Sequence, residues 1–314
     1  AKRIVNEFIR PNLNSLYASE KTCWTEITTY IAPVLFSTNQ ISSYEEIGKL
    51  RVQQKDEALS GICRFIFKRT LLSDPYEYTA GKGFEITYDD VVVILDLLNR
   101  METDSEIYEN MEILADSLTS PKGKDRITKE QRAEVGRRLD KIIDEKFPDK
   151  RNILHEGYKI TARSQVYRIT SPCPQAWNDL IQLASGLPNI SDQVFVLGTI
   201  AVSMPNKMFD KRKAVLSDAS DLIEKIPALL DRIERYEALA RFSADIDQEL
   251  SKRLLNQGIK AAISRDEPEA LSAQRRLIDL AYSTIGSDFA SNLASLADDD
   301  PARKKAQQNL AERI

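Results

Sequence analysis

The feature that most constrains this chain is how often a helix start is written just ahead of apolar residues spaced by three and four. Ser42 followed by Glu45, Thr103 by Glu106, Thr128 by Gln131 and Asp266 by Glu269 all have capping-box spacing. In that device the first side chain accepts a backbone N–H of the opening turn, and the fourth reaches back to the first residue's own N–H. Asp300-Pro301 and Ser171-Pro172 read as a cap followed by proline at the first helical position, where its missing N–H costs nothing. In RVQQKDEALSGICRFIFKRTLL, Ala58, Ile62, Phe65, Ile66 and Arg69 mark one helix face, with Leu59, Cys63 and Phe67 beside it. Glycines and prolines number only 11 and 12, and they fall at punctuation points between such runs. The expected fold is all-α, with stacked antiparallel helical hairpins in an α-solenoid-like arrangement.

One stretch departs from the helical pattern. YEYTAGKGFEIT, residues 76–87, alternates, turns through Gly81-Lys82-Gly83 and alternates again. That pattern fits a short β-hairpin, or an irregular loop between helices. The Gly-x-Gly is not followed by the Lys-Ser/Thr of a phosphate loop, so no nucleotide site is read there.

Bulk properties narrow the class. The 314 residues are 42% hydrophobic and 29% charged, as in a globular protein, which is chain enough for a large core or several domains. No run approaches the ~18 apolar residues of a membrane span. VVVILDLL, from Val91, is short and is interrupted by Asp96. The opening AKRIVNEFIRPNL has no signal-peptide core, because Asn6, Glu7 and Arg10 break it. Its initial Ala fits either loss of an initiator Met or a piece of a longer protein. Cys23, Cys63 and Cys173 are far apart, and His155 is the one histidine, so neither a disulfide framework nor a Cys/His zinc site is expected. Three reduced, packed cysteines point to a cytoplasmic location. The polar linkers TSPKGKDRIT and RITSPCP divide the chain into an N-terminal helical region (1–120), a charged, basic helical pair (121–170) and a helical-repeat region (171–314).

The repeat region carries an echo. LASGLPNISDQV begins at Leu183, LARFSADIDQEL at Leu239 and LAYSTIGSDFA at Leu280, with spacings of 56 and 41 residues. In each, Leu-Ala would end one helix on its buried face, the polar gap would be the turn, and the Asp would cap the next helix. The segment from Asp210 divides accordingly into three helices. The first carries Val215, Leu216, Leu222 and Ile223 and stops before Pro227. The second carries Leu229, Leu230, Ile233, Tyr236, Leu239 and Ala240, and the third carries Ile246, Leu250, Leu254 and Ile259. Repeats of helix pairs run at about 34 to 47 residues, which fits a degenerate version of this spacing.

Ile226-Pro227, Arg232, Leu239-Ala240, the following Asp and Leu254-Leu255 together resemble the helix-hairpin repeats of TPR-like and HEAT-like proteins. They are similar in particular to diverged repeats found C-terminal to bacterial signalling or immune NTPase modules. The resemblance spans residues 175–314 and lacks the full TPR aromatic pattern. It implies the sensing or docking arm of a larger bacterial signalling or defence protein, without the motor.

No catalytic constellation is legible. The paired carboxylates Glu45-Glu46, Asp89-Asp90 and Asp298-Asp299-Asp300 are sequence neighbours at helix ends, where the helix dipole explains them. G-x-S-x-G is absent. The basic middle is the more informative feature. Residues 121–168 hold fourteen Lys and Arg against eight acids, in a chain of net charge −4. Within it His155, Lys159, Arg163 and Tyr167 recur at four-residue steps, preceded by Arg151. Such a stripe suits an anionic partner, although a solvated helix face has the same pattern. The first functional reading is therefore a non-enzymatic protein–protein interaction or scaffold module, with a protein partner and no cofactor or metal. The second is a nucleic-acid-binding helical protein using 121–168. The third is an enzyme whose site the sequence does not display.

Overall fold

The computed structural model describes residues 47–48, 52–68, 86–120, 126–147, 153–263 and 268–298. Among them are twelve α-helices, one short 3-10 turn and no strand. The chain is all-α, as its periodicity requires. Residues 76–85 of the hairpin candidate lie outside the described set, as do the helix starts at Ser42, Asp266 and Asp300. The chain divides into two compact units, Ala1–Arg151 with Gln165–Ser171, and Asn152–Ser164 with Pro172–Ile314.

In the first unit α1 (Val52–Lys68) packs on α2 (Tyr88–Arg100) and α3 (Asp104–Thr119), and α2 also packs on α3 and α4 (Lys129–Lys146). The faces that meet are the periodic ones: Ala58, Ile62 and Ile66 of α1 and Val91, Ile94 and Leu98 of α2 are all buried. Thr128 forms the expected capping box. Its Oγ1 accepts from Gln131 N at 3.2 Å, and its own N–H donates to Gln131 Oε1 at 2.8 Å. Thr87 builds a second box with Asp90, which reading the Asp89-Asp90 pair simply as dipole charge had missed.

Thr103 is a correction. It is the N-cap of α3, yet its side chain makes no capping bond. The N–H that Glu106 would have bonded donates instead to Asp56 Oδ2 at 2.5 Å, and Glu102 N donates to the same oxygen at 2.7 Å. Asp56 is fully buried on α1, so a neighbouring helix supplies the cap. Asp56→Ala is expected to destabilise by about 3 kcal/mol, because two N–H groups lose a charged acceptor. Its denaturation midpoint should fall well below that of Asp56→Asn, which keeps an acceptor oxygen.

In the second unit α6 (Pro174–Ser185), α7 (Ile190–Ser203), α8 (Phe209–Ile223), α9 (Leu229–Ser243), α10 (Gln248–Ile263), α11 (Pro268–Thr284) and α12 (Ser287–Asp298) follow the initial part of α5 (Ile153–Thr170). From α6 to α12, each packs on its successor. In addition α7 packs on α9, α9 on α11 and α10 on α12. The three helices read from the 210–263 segment are α8, α9 and α10. Arg232 closes the loop between the first two. Its Nη2 donates to the Ile226 carbonyl at 2.8 Å and its Nη1 to Glu224 at 3.3 Å, while the buried Tyr236 hydroxyl donates to Glu224 as well.

The echoed Leu-Ala pairs do end helices. Leu239, Ala240, Leu280 and Ala281 are buried. Ala240 leaves room for α10 to come close enough that Ser251 Oγ donates to its carbonyl at 2.8 Å. Gly198 does the same for α7 and α9, since a Cβ there would fall on the Phe242 ring. Two details of the repeat reading are corrected. Leu183 is 51% exposed, because α6 buries Trp177, Leu180 and Ala184 instead. The Asp of the echo is not the cap in any of the three: Asn189 caps α7 ahead of Asp192, Asp288 lies inside the first turn of α12, and Asp247, whose Oδ1 accepts from Leu250 N at 3.2 Å, caps α10 while Asp245 stays exposed in the turn. The Ser171-Pro172 start also moves: α6 begins two residues later, at Cys173-Pro174. Ser171 instead takes a left-handed conformation, φ 52°, just after α5.

Candidate interaction surface

α5 carries four of the five residues proposed from sequence, at successive four-residue steps. A step of four turns about 40° beyond a full circle, so such a row drifts around the helix as it advances. Lys159 and Arg163 fall in the second unit and Tyr167 in the first. These three side chains are half-buried, and each is engaged by an interaction within the chain. The side chain of His155 and the whole of Arg151 lie outside the described residues. Elsewhere in the basic middle, some cations have acidic partners within the chain. Arg137 pairs with Glu134 at 2.5 Å, Lys141 with Glu145 at 3.7 Å, and Arg168 with Asp116. Arg132 donates to the Leu118 carbonyl at 2.9 Å, which satisfies an end group of α3.

On α7, α9 and α11 the polar residues form cross-helix ties. Arg235 Nε donates to Ser191 Oγ at 2.7 Å, and its guanidinium lies over the Phe195 ring. Glu237 is only 14% exposed and pairs with Arg276 of α11 at 2.9 Å and with Arg241 at 3.4 Å. Removing either arginine would leave a largely enclosed carboxylate less compensated, so these ties organise the surface.

Two charged clusters remain. On α3, Glu109, Glu112 and Asp116 gather with Arg64 and Arg168 as the compensating charges. Burial first, then Asp116 and Glu109 against the pull of Arg168, together raise the Glu112 carboxyl to about 7. The other cluster is at the turn between α7 and α8 and the start of α8, PNKMFDKRK, whose charges the apolar periodicity of the sequence does not mark. Phe209 and Val202 are 43% and 38% exposed there. Lys213 Nζ sits 5.2 Å from the Phe209 ring centroid and pairs with Asp247 at 3.4 Å. Arg212 holds the turn rigid, donating to the Ala201 carbonyl at 2.9 Å and to Asn206 Oδ1 at 2.7 Å. Lys207 and Lys211 are exposed beside it.

The nucleophiles offer little chemistry. Cys63 is fully buried, and burial pushes its thiol up, away from the reactive thiolate. Cys173, expected to be packed like the other cysteines, is instead exposed, because it is the residue just ahead of α6. Among the described residues no group of three His, Cys, Asp or Glu side chains could hold a metal ion, and no helix is long and apolar enough to cross a membrane. No family model, curated protein or solved structure matches the chain.

Proposed function

We propose that this protein is a non-enzymatic binding or scaffold module, whose second unit is a degenerate helical-repeat array that docks a protein partner. One observation carries the reading: from α7 onward each helix packs on the next, and α7, α9 and α11 also pack in succession. A repeat array has this pattern, since a hairpin that cannot bury its apolar face alone buries it on its neighbour. Stacking of this kind leaves a long exposed surface, and the Arg235, Glu237 and Arg276 ties hold that surface in one geometry. Preorganisation lowers the cost of binding. The nucleic-acid reading has less support, because Lys159, Arg163 and Tyr167 are half-buried and engaged within the chain.

Affinity capture on the full chain tests the reading, with mass spectrometry and nucleic-acid detection on the same eluate. A protein retained stoichiometrically after nuclease treatment is the expected result. An eluate holding only nucleic acid, or a partner lost with nuclease, would overturn it.

A further inference from the structure

We infer that the turn joining α7 to α8 is a docking point for an acidic peptide segment carrying an apolar anchor. The inference rests on the protein-binding reading above and names where and by what chemistry binding occurs. Four observations converge on this one end of the α7–α8 hairpin. Phe209 and Val202 expose apolar surface at the start of α8 and the end of α7. Arg212 ties those two helix ends together through the Ala201 carbonyl and Asn206, so the apolar surface is presented on a fixed frame. Lys207 in the turn and Lys211, Arg212 and Lys213 at the start of α8 stand against Asp210 and against Asp247, which pairs with Lys213, a local excess of positive charge in a chain of net charge −4. Lys207 and Lys211 are exposed, on either side of Phe209 in sequence.

The chemistry selects the occupant. An apolar centre with a charged rim is the arrangement of a protein-binding hot spot, in which the rim sets encounter and register and the centre supplies most of the affinity. A single-stranded nucleic acid would need successive stacking platforms along a basic track, and this turn offers one ring, already approached by Lys213. A membrane surface would need a broad apolar helix face or a second anchor, and two partly exposed side chains on a pinned turn do not supply it. A carboxylate-bearing segment satisfies both parts of the patch. Its acids face Lys207 and Lys211, and its Leu, Ile or Phe covers Phe209.

The test uses the full chain and fluorescein-labelled 12-residue peptides of four compositions: acidic with one aromatic or Leu, acidic only, apolar with neutral polar residues, and basic. Fluorescence anisotropy should show tightest binding to the acidic, anchored peptides, weakening as salt rises. Lys207→Glu with Lys211→Glu should lower that affinity by about tenfold or more, as reversal of rim charges does. Phe209→Ser should lower it comparably at every salt concentration. Thermal melts of both variants should match the parent, since all three side chains are exposed, and a charge-neutral Lys207→Gln, Lys211→Gln pair gives an intermediate loss. Equal binding of all four compositions, or acidic peptides held equally by the variants, would overturn the proposal. So would loss of binding to phosphatidylserine vesicles or oligo-dT on the same substitutions when no peptide binds. A parallel selection from an unbiased peptide library separates the two levels. Binders indifferent to these substitutions would sink this docking point and leave the binding role standing, whereas no binders of any kind would sink both.

Discussion

Leu239→Asp is expected to unfold the second unit, while Leu183→Asp is expected to be almost silent. The two leucines occupy the same place in the Leu-Ala echo, and only their burial differs, fully enclosed against 51% exposed. Leu239 meets α7 at Gly198, where a Cβ would lie 3.1 Å from Leu239 Cδ1. Truncating a buried leucine costs about 2 to 5 kcal/mol, and an unpaired carboxylate in its place adds a desolvation penalty. The sum is comparable to the whole stability of an ordinary domain, about 5 to 15 kcal/mol. Circular dichroism melts should therefore show a transition lost or shifted far down for Leu239→Asp, with Leu239→Met nearly normal and Leu183→Asp within experimental error. A Leu239→Asp protein that melts like the parent would contradict the packing of α9 on α7.

Glu112→Gln is expected to stabilise the protein at pH 8 and to leave it unchanged near pH 4. The folded state holds the Glu112 proton more tightly than the unfolded chain, because burial, Asp116 and Glu109 lift its carboxyl from 4.5 to about 7. A raised acid favours folding while it is protonated. Its contribution is complete below about pH 4.5 and is lost as pH rises through 7. That lift corresponds to about 3 kcal/mol, at 1.36 kcal/mol for each pKa unit. Glutamine keeps the shape and removes the charge, so the gain should appear only as pH passes from 5 to 8. Urea midpoints at several pH values would read it directly. A gain of equal size at pH 4 and pH 8 would mean that shape, and not the proton, is responsible. Arg168→Gln should act in the opposite sense above pH 7, since it removes the cation that offsets the Glu112 charge.

Local signals carried most of the secondary structure. The Thr128 box, the breaks before Leu229 and Gln248, and the faces of α1 and α9 involve residues within four positions of one another, and such interactions are the same in any context. The helical class of the chain was therefore written in its sequence. Which of several adequate side chains performs a task was decided only by the assembled structure. Thr103 has the right spacing to cap α3, yet Asp56 arrives from α1 and takes its N–H. Leu183 and Leu239 head the same motif, but only the second is buried. Lys159 and Arg163 stand on one row of α5, and packing leaves both half-buried and engaged within the chain. The α7–α8 turn, which has no period to betray it, gains its importance from Arg212 reaching back eleven residues to Ala201. The Asp56 cap and the burial of Leu239 against Gly198 turn on contacts between residues distant along the chain, and the energy of such a contact depends on a geometry that no spacing in the sequence specifies.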